Sequence, residues 1–155
     1  MNKKLGALSL IELVFVIAII AILSTIALHN FIGVHTFGAE RQLHKIENDL
    51  RTIRMEAIRN RKQTSLSFSS KGYSIYVKGE KVFEDEYVDS LQWEPSLSKF
   101  SNISSSSFSF SESGKPSNAG SVVFKVGRKI KKEIVVAPVT GIVTLRKANE
   151  EDKSF

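Results

Sequence analysis

The stretch from Leu8 to Ile32 constrains this chain more than any other part of it. It holds a single acid, Glu12, near its start, and its other polar members are Ser9, Ser24, Thr25, His29 and Asn30. As a helix rising about 1.5 Å per residue it would measure about 37 Å, enough to cross a hydrocarbon core of about 30 Å with some tilt. Lys3 and Lys4 precede it without an acid beside them, which favours a cytoplasmic N-terminus. A cleaved secretory signal peptide also starts with basic residues and an apolar run. Here, however, the acid interrupts the start of the run, the run outlasts an ordinary signal core, and a helical pattern follows Ala27. A retained membrane helix is therefore expected. A carboxylate in hydrocarbon costs a few kcal/mol, so Glu12 either marks the interfacial end of the helix or awaits a positive partner.

Past the apolar run the helical period continues. Leu43, Ile46, Leu50, Ile53 and Ala57 recur at spacings of three and four, with Ile58 beside the last. Lys45, Glu47, Asp49, Arg51, Arg54 and Glu56 stand between them. That is one apolar stripe on a charged cylinder, and it needs a surface to cover it. Gly33 and Gly38 loosen the junction, but no proline occurs before Pro95. The pattern predicts one helix over 8–61, apolar all round in its first half and amphipathic in its second.

After Lys62 the period changes. TSLSFS, YSIYVK, KVFEDEYV, FSFS, SVVFKV, KIKKEIVV and GIVTLRK are short, rich in β-branched and aromatic residues, and partly alternating. Lys71-Gly72, Lys78-Gly79-Glu80, Gly127-Arg128 and Val139-Thr140-Gly141 supply turn chemistry between them. Antiparallel meanders are expected, with irregular loops over 96–107 and 113–120 and a frayed polar tail over 148–155. The fold class is thus α+β: a long N-terminal helix whose second half lays its stripe on an antiparallel sheet. Outside the membrane run about 120 residues remain, enough for a modest core.

Composition removes several functions. With no cysteine, disulfide staples, thiolate metal sites and thiol catalysis are excluded. His29, His35 and His44 lie on the expected helix, but no two of them stand four residues apart, as a helical metal site requires. Glu84-Asp85-Glu86 with Asp89 could do acid–base work or hold a cation; an exposed turn or strand edge is the simpler account of them. No phosphate-binding glycine loop and no Gly-x-Ser-x-Gly elbow is present. No enzyme, cofactor or metal site is expected. The formal charge of +6 permits weak attraction to nucleic acid or anionic lipid and identifies neither.

The run GALSLIELVFVIAIIAIL, behind its short basic leader, closely resembles the N-terminal signal of type IV pilins and pseudopilins. The later stretch SVVFKVGRKIKKEIVVAPVTGIVTLRK is similar to the minor pseudopilin group known as GspH/FimT, in which a late strand pair closes around a glycine such as Gly141. The resemblance implies a leader over 1–7, cut by prepilin peptidase between Ala7 and Leu8, with N-methylation of Leu8. Glycine ordinarily precedes the cut; here Gly6 stands one position early, and the Gly6–Ala7 bond is the alternative. It further implies a transmembrane and filament-core helix over 8–32, an amphipathic continuation over 33–62 and a β-rich periplasmic domain over 63–147, ahead of the polar tail. The chain would be a single-pass inner-membrane protein, cytoplasmic at its N-terminus. It would be incorporated into a type II secretion pseudopilus with other pilin or pseudopilin subunits and an inner-membrane assembly platform.

Within that resemblance Glu12 becomes the assembly residue, neutralising the new amine of a neighbouring subunit. Leu13 to Leu28 would face lipid and later other subunits. Ala18, Ala21, Ser24 and Ala27, spaced by three, would allow close helix approach. Lys125, Arg128, Lys129, Lys131, Lys132, Arg146 and Lys147 fall on segments expected to be sheet neighbours. They are candidate DNA contacts if the chain is instead a minor type IV pilin of a pilus or DNA-uptake filament. A solvated edge guarded by lysines is the simpler explanation of them.

Overall fold

The computed structural model describes residues 10–102, 106–127 and 130–148, and over 26–35 the backbone alone. The chain divides into two compact units, 1–35 and 36–155. One helix, α1 (Leu10–Asn60), contributes to both.

In the first unit, α1 exposes nearly every apolar side chain it carries, from Leu10 and Phe15 to Ile22 and Leu23. Its two hydroxyl residues are turned inward along the helix: Ser24 Oγ donates to Ile20 O at 2.7 Å and Thr25 Oγ1 to Ala21 O at 2.9 Å. Back-bonding of this kind removes two polar groups from the helix surface. The membrane-spanning half expected over 8–32 is not found within the described residues, where no helix is long and apolar enough to cross a membrane. The expected span begins outside the described residues and ends in the backbone-only stretch. The side chains of 10–25 cover about 24 Å of helix, short of the roughly 30 Å required.

In the second unit the predicted stripe from Leu43 to Ala57 is present, Ala39 extends it by a turn, and Ile58 beside it stays exposed. Ala39, Leu43, Ile46, Leu50, Ile53 and Ala57 are all buried. They are covered by two antiparallel sheets, where the sequence had suggested one. Their strands are β1 (Thr64–Phe68), β2 (Gly72–Val77), β3 (Glu80–Glu86), β4 (Leu91–Trp93), β5 (Lys99–Phe100), β6 (Ser107–Phe110), β7 (Pro116–Asn118), β8 (Gly120–Val126), β9 (Ile130–Val136) and β10 (Val143–Lys147). The first sheet runs β3-β2-β1-β6-β7; the second runs β10-β9-β8-β4, with β5 also on β8. The chain therefore builds three strands of one sheet and crosses to lay β4 and β5 in the other. It then returns for β6 and β7 and finishes with the meander β8-β9-β10.

The expected turns that fall on described residues are where the pattern put them; Arg128 of the Gly127-Arg128 turn lies outside those residues. Lys78 and Gly79, both at positive φ (53° and 84°), form the two-residue link that matches strand twist. The expected loops over 96–107 and 113–120 need correction, because they contain β5, a short 3-10 turn (Pro95–Leu97) and β7. Side chains order these serine-rich stretches. Ser98 Oγ accepts from Val123 N–H (3.0 Å) and Trp93 Nε1 (3.1 Å), while Asn118 Oδ1 accepts from Asn102 N–H (2.9 Å). β7 begins at Pro116 and is the last strand of its sheet, the place where a missing N–H costs no ladder bond.

The core between the sheets centres on Phe68. Its ring lies 5.6 Å from Phe108 and 5.9 Å from Phe124, both edge-on, and 6.2 Å from Trp93. The first ring belongs to its own sheet and the other two to the second, so one side chain joins both layers. Tyr87 stacks on Tyr73 at 6.4 Å and meets Phe124 edge-on at 5.7 Å.

α1 stops in a left-handed cap. Arg61 takes φ +49° and Lys62 N–H reaches back to Ala57 O at 3.2 Å, the six-to-one bond of a Schellman turn. Thr64 Oγ1 then donates to Ile53 O at 2.9 Å. A side chain at positive φ is strained where glycine is not, so Arg61→Gly should raise stability by roughly 0.5–1 kcal/mol, read as a higher urea midpoint. The two tyrosines make opposite predictions. Tyr73 Oη donates to Asp49 Oδ2 at 2.6 Å, whereas the buried Tyr87 hydroxyl has no partner among the described residues. Tyr73→Phe should cost about 1–2 kcal/mol, and Tyr87→Phe should be neutral or stabilising. Burial pushes both hydroxyls far above their ordinary value of 10, with Asp49 adding to the effect at Tyr73. A raised value in the fold means their contribution is intact below pH 10 and declines above it. Thermal melts of Y73F/Y87F should show a shallower alkaline loss than the parent.

Candidate functional site

Of the residues assigned to processing, Gly6, Ala7 and Leu8 lie outside the described residues. Glu12 stands in the first turn of α1, exposed among Leu10, Ile11, Leu13, Val14 and Phe15. The helix dipole favours an acid there, and no cation among the described residues pairs with it. Its carboxylate is a lone charge on an apolar cylinder. Ala18, Ala21 and Ser24 are exposed on the same segment; Ala27 falls where only backbone is described.

The candidate basic residues are strand neighbours, but they do not share a face. Side chains alternate along a strand, and Ile134 and Val136 of β9 are buried in the core. Lys132 therefore shares the core-side face, while Lys131 and Glu133 point to the outer one. Lys132 lies opposite Lys147 and its Nζ binds Glu40 Oε1 of α1 at 2.8 Å. That hydrogen bond and charge hold the Glu40 carboxyl below the usual carboxylate range. On the outer face Arg146 Nε meets Glu133 Oε2 at 3.0 Å, from directly across the ladder. Lys125 and Lys131 face each other across β8 and β9, and no carboxylate among the described residues pairs with either. Arg128 and Lys129 lie outside the described residues.

The acidic cluster is divided in the same way. Asp85 turns toward α1, taking Lys45 Nζ at 2.7 Å. Glu84 pairs with Lys81 at 2.7 Å, and Glu86 offers its backbone carbonyl to Gln42. His44 Nδ1 is 3.4 Å from Glu47 Oε2. Among the described residues no three such side chains converge as a metal site.

Sequence reasoning missed the polar ties of α1. Gln42 Nε2 donates to Glu86 O at 2.6 Å and its Oε1 accepts from Val88 N–H at 2.9 Å. One amide thus meets both groups of a passing backbone, as a neighbouring strand would. Arg51 Nη2 binds Glu47 Oε1 at 2.7 Å and Val143 O at 3.1 Å. Arg54 bridges two turns, donating Nε to Gly114 O (3.2 Å) and Nη2 to Thr140 O (2.8 Å). Gly141, at φ +65°, lies in the turn between β9 and β10, where a Cβ would come within 3.0 Å of Arg54 Nε. The one available signal was position, because Gln42, Arg51 and Arg54 flank the apolar stripe.

The described residues therefore offer two separate features: in the first unit a lone acid on an exposed apolar stretch of α1, and in the second a polar-laced seam between α1 and two sheets. Neither holds an assembled catalytic constellation among the described residues. Comparison with curated proteins and with solved structures returns no match. The family model for type II transport protein GspH matches residues 42–140, from the tie at Gln42 in α1 to the turn that follows β9. With the stripe from Leu43 to Ala57, strands β1 to β9 and the tie at Gln42 inside that match, the chain belongs to the GspH family, the pseudopilin-like proteins of type II secretion.

Proposed function

We propose that this chain is a minor pseudopilin, cut by prepilin peptidase between Ala7 and Leu8, methylated on Leu8 and incorporated into a type II secretion pseudopilus. Family membership supports the coarser statement, a pseudopilin-like subunit that associates with other pseudopilins. The single observation carrying the finer one is the exposed apolar row from Leu10 to Leu23 with Glu12 alone at its start. A surface of this kind is stable only in lipid or against other apolar helices. The helix would hold the chain in the inner membrane over 8–32, N-terminus cytoplasmic and β-rich domain periplasmic. The assembly platform would later pass it from lipid into a helix bundle.

In that transfer Glu12 sets the register. Cleavage leaves a cationic amine on Leu8, and the carboxylate of an incoming subunit neutralises that of its neighbour. In low dielectric, a pair broken on one side costs about 3–5 kcal/mol. Misregistered packing that strands either charge is rejected by that margin. The alternative, a minor type IV pilin that binds DNA through the basic strands, draws less support. Those cations lie on two faces, and Lys132 and Arg146 are already paired.

Two measurements test the reading. The mass of the protein from its native membrane should show loss of 1–7 and gain of one methyl group, both dependent on prepilin peptidase. An intact chain there would overturn the processing step. Glu12→Ala should insert normally yet enter the filament at least about tenfold less, since tenfold corresponds to only about 1.4 kcal/mol. Undiminished incorporation would remove Glu12 from the mechanism.

A further inference from the structure

Lys125 and Lys131 pose a physical problem. Directly opposed like charges destabilise a ladder, yet these two lie across from each other on the outer face of β8 and β9. Neighbouring cations are neutralised within the chain, Lys132 by Glu40 and Arg146 by Glu133. At the same end of the domain Asp89 is exposed, close to Ser90, whose carbonyl accepts from Gly127 N–H at 2.7 Å. Asp89 forms no ion pair with either lysine among the described residues. Two partly exposed lysines remain, on long arms that carry their amines outward.

The position of this hairpin identifies what they meet. Gly127, immediately after β8, takes φ +61°, and a Cβ there would come within 3.1 Å of Thr36 Cγ2. The hairpin end thus packs on the first residue of the second unit. If the membrane span ends at Ile32, three residues lie between it and Thr36, and those four Cα–Cα steps reach at most about 14 Å. On that reading the tether leaves Gly127, packed on Thr36, within reach of the headgroups.

We propose that Lys125 and Lys131 form a docking site for anionic phospholipid headgroups, a phosphate between the two amines relieving their repulsion. The proposal rests on the membrane-anchor reading above and adds to it a second contact that orients the domain. Duplex DNA offers the same phosphate chemistry, but tethering decides between the two. Lipid is presented at the high effective concentration of an intramolecular partner. DNA must be captured from solution by two contacts, which salt readily displaces. Each lysine near an anionic surface contributes about fivefold to the docked-to-undocked ratio.

The chain has no cysteine, so one introduced thiol reports one place. Gln92, exposed and directly across from Lys125 on β4, takes the probe as Gln92→Cys. Val139, 81% exposed in the turn after β9, serves as the remote control. The full chain carrying a fluorophore at either site is reconstituted in phosphatidylcholine vesicles with headgroup quencher, with or without phosphatidylglycerol. Quenching at 92 should rise several-fold with phosphatidylglycerol. The rise should vanish in K125A/K131A and at about 1 M salt, where the screening length is roughly 3 Å; the probe at 139 should not respond. K125A/K131A removes a repulsion, so its melting temperature should not fall. Equal quenching in both vesicle types, or quenching that survives K125A/K131A, overturns the proposal. So does a lysine-dependent response to duplex DNA without one to phosphatidylglycerol. Chains that do not float with vesicles at all overturn the anchor reading as well, which separates the two failures.

Discussion

Burial of one face of α1 is the interaction on which the domain depends. Ala39, Leu43, Ile46, Leu50, Ile53 and Ala57 form a strip that neither sheet could supply for itself. Six aliphatic side chains of this size, each favoured by about 1.5–3 kcal/mol when fully buried apart from the smaller alanines, outweigh any single polar contact in the molecule. Without the strip the two sheets would expose inner faces bearing Leu66, Phe108, Phe124 and Ile134 to water. The strip also determines where the polar groups of the helix can go. Residues on its flanks are brought against backbone carbonyls and N–H groups, and Gln42, Arg51 and Arg54 bond there. Residues farther round, such as Arg41 and Asn48, stay in solvent.

Regions with strong periodicity were legible in the sequence. The stripe, the seven main strands and the Lys78-Gly79 turn follow from spacing and residue type, because a three-four repeat and a two-residue alternation each leave one geometry available. The division into two sheets was not legible. It depends on β1 pairing with β6 and β4 with β8, and pairing between distant segments leaves no local mark. Nor were β4, β5 and β7. They are two or three residues long, and their order comes from Ser98, Ser101 and Asn118 bonding to backbone, chemistry that in a one-dimensional reading looks like an ordinary serine-rich loop.

The functional residues divide similarly. Glu12 was conspicuous because a carboxylate in an apolar run has no local explanation. The basic cluster was conspicuous too, but its meaning changed once the register was known. Adjacent positions on a strand face opposite ways, so Lys131 and Lys132, side by side in sequence, point to different faces, and only Lys132 meets Glu40. Arg54 gave no signal beyond its place beside the stripe. Its targets are carbonyls of Gly114 and Thr140, sixty and eighty-six residues away, and a carbonyl has no sequence identity.

The arrangement of ties along α1 has a mechanical consequence. Glu40 and Gln42 secure the helix to β9 and the segment after β3 near one end, and Arg54 secures it to two turns near the other. A pull along the helix axis, delivered at Thr36, therefore loads these bonds and the interlocked apolar strip in shear rather than one after another. Parallel bonds share such a force, and sliding by one helical turn, about 5.4 Å, would require all of them to break together. The domain is built to be hauled by its helix without letting go of it.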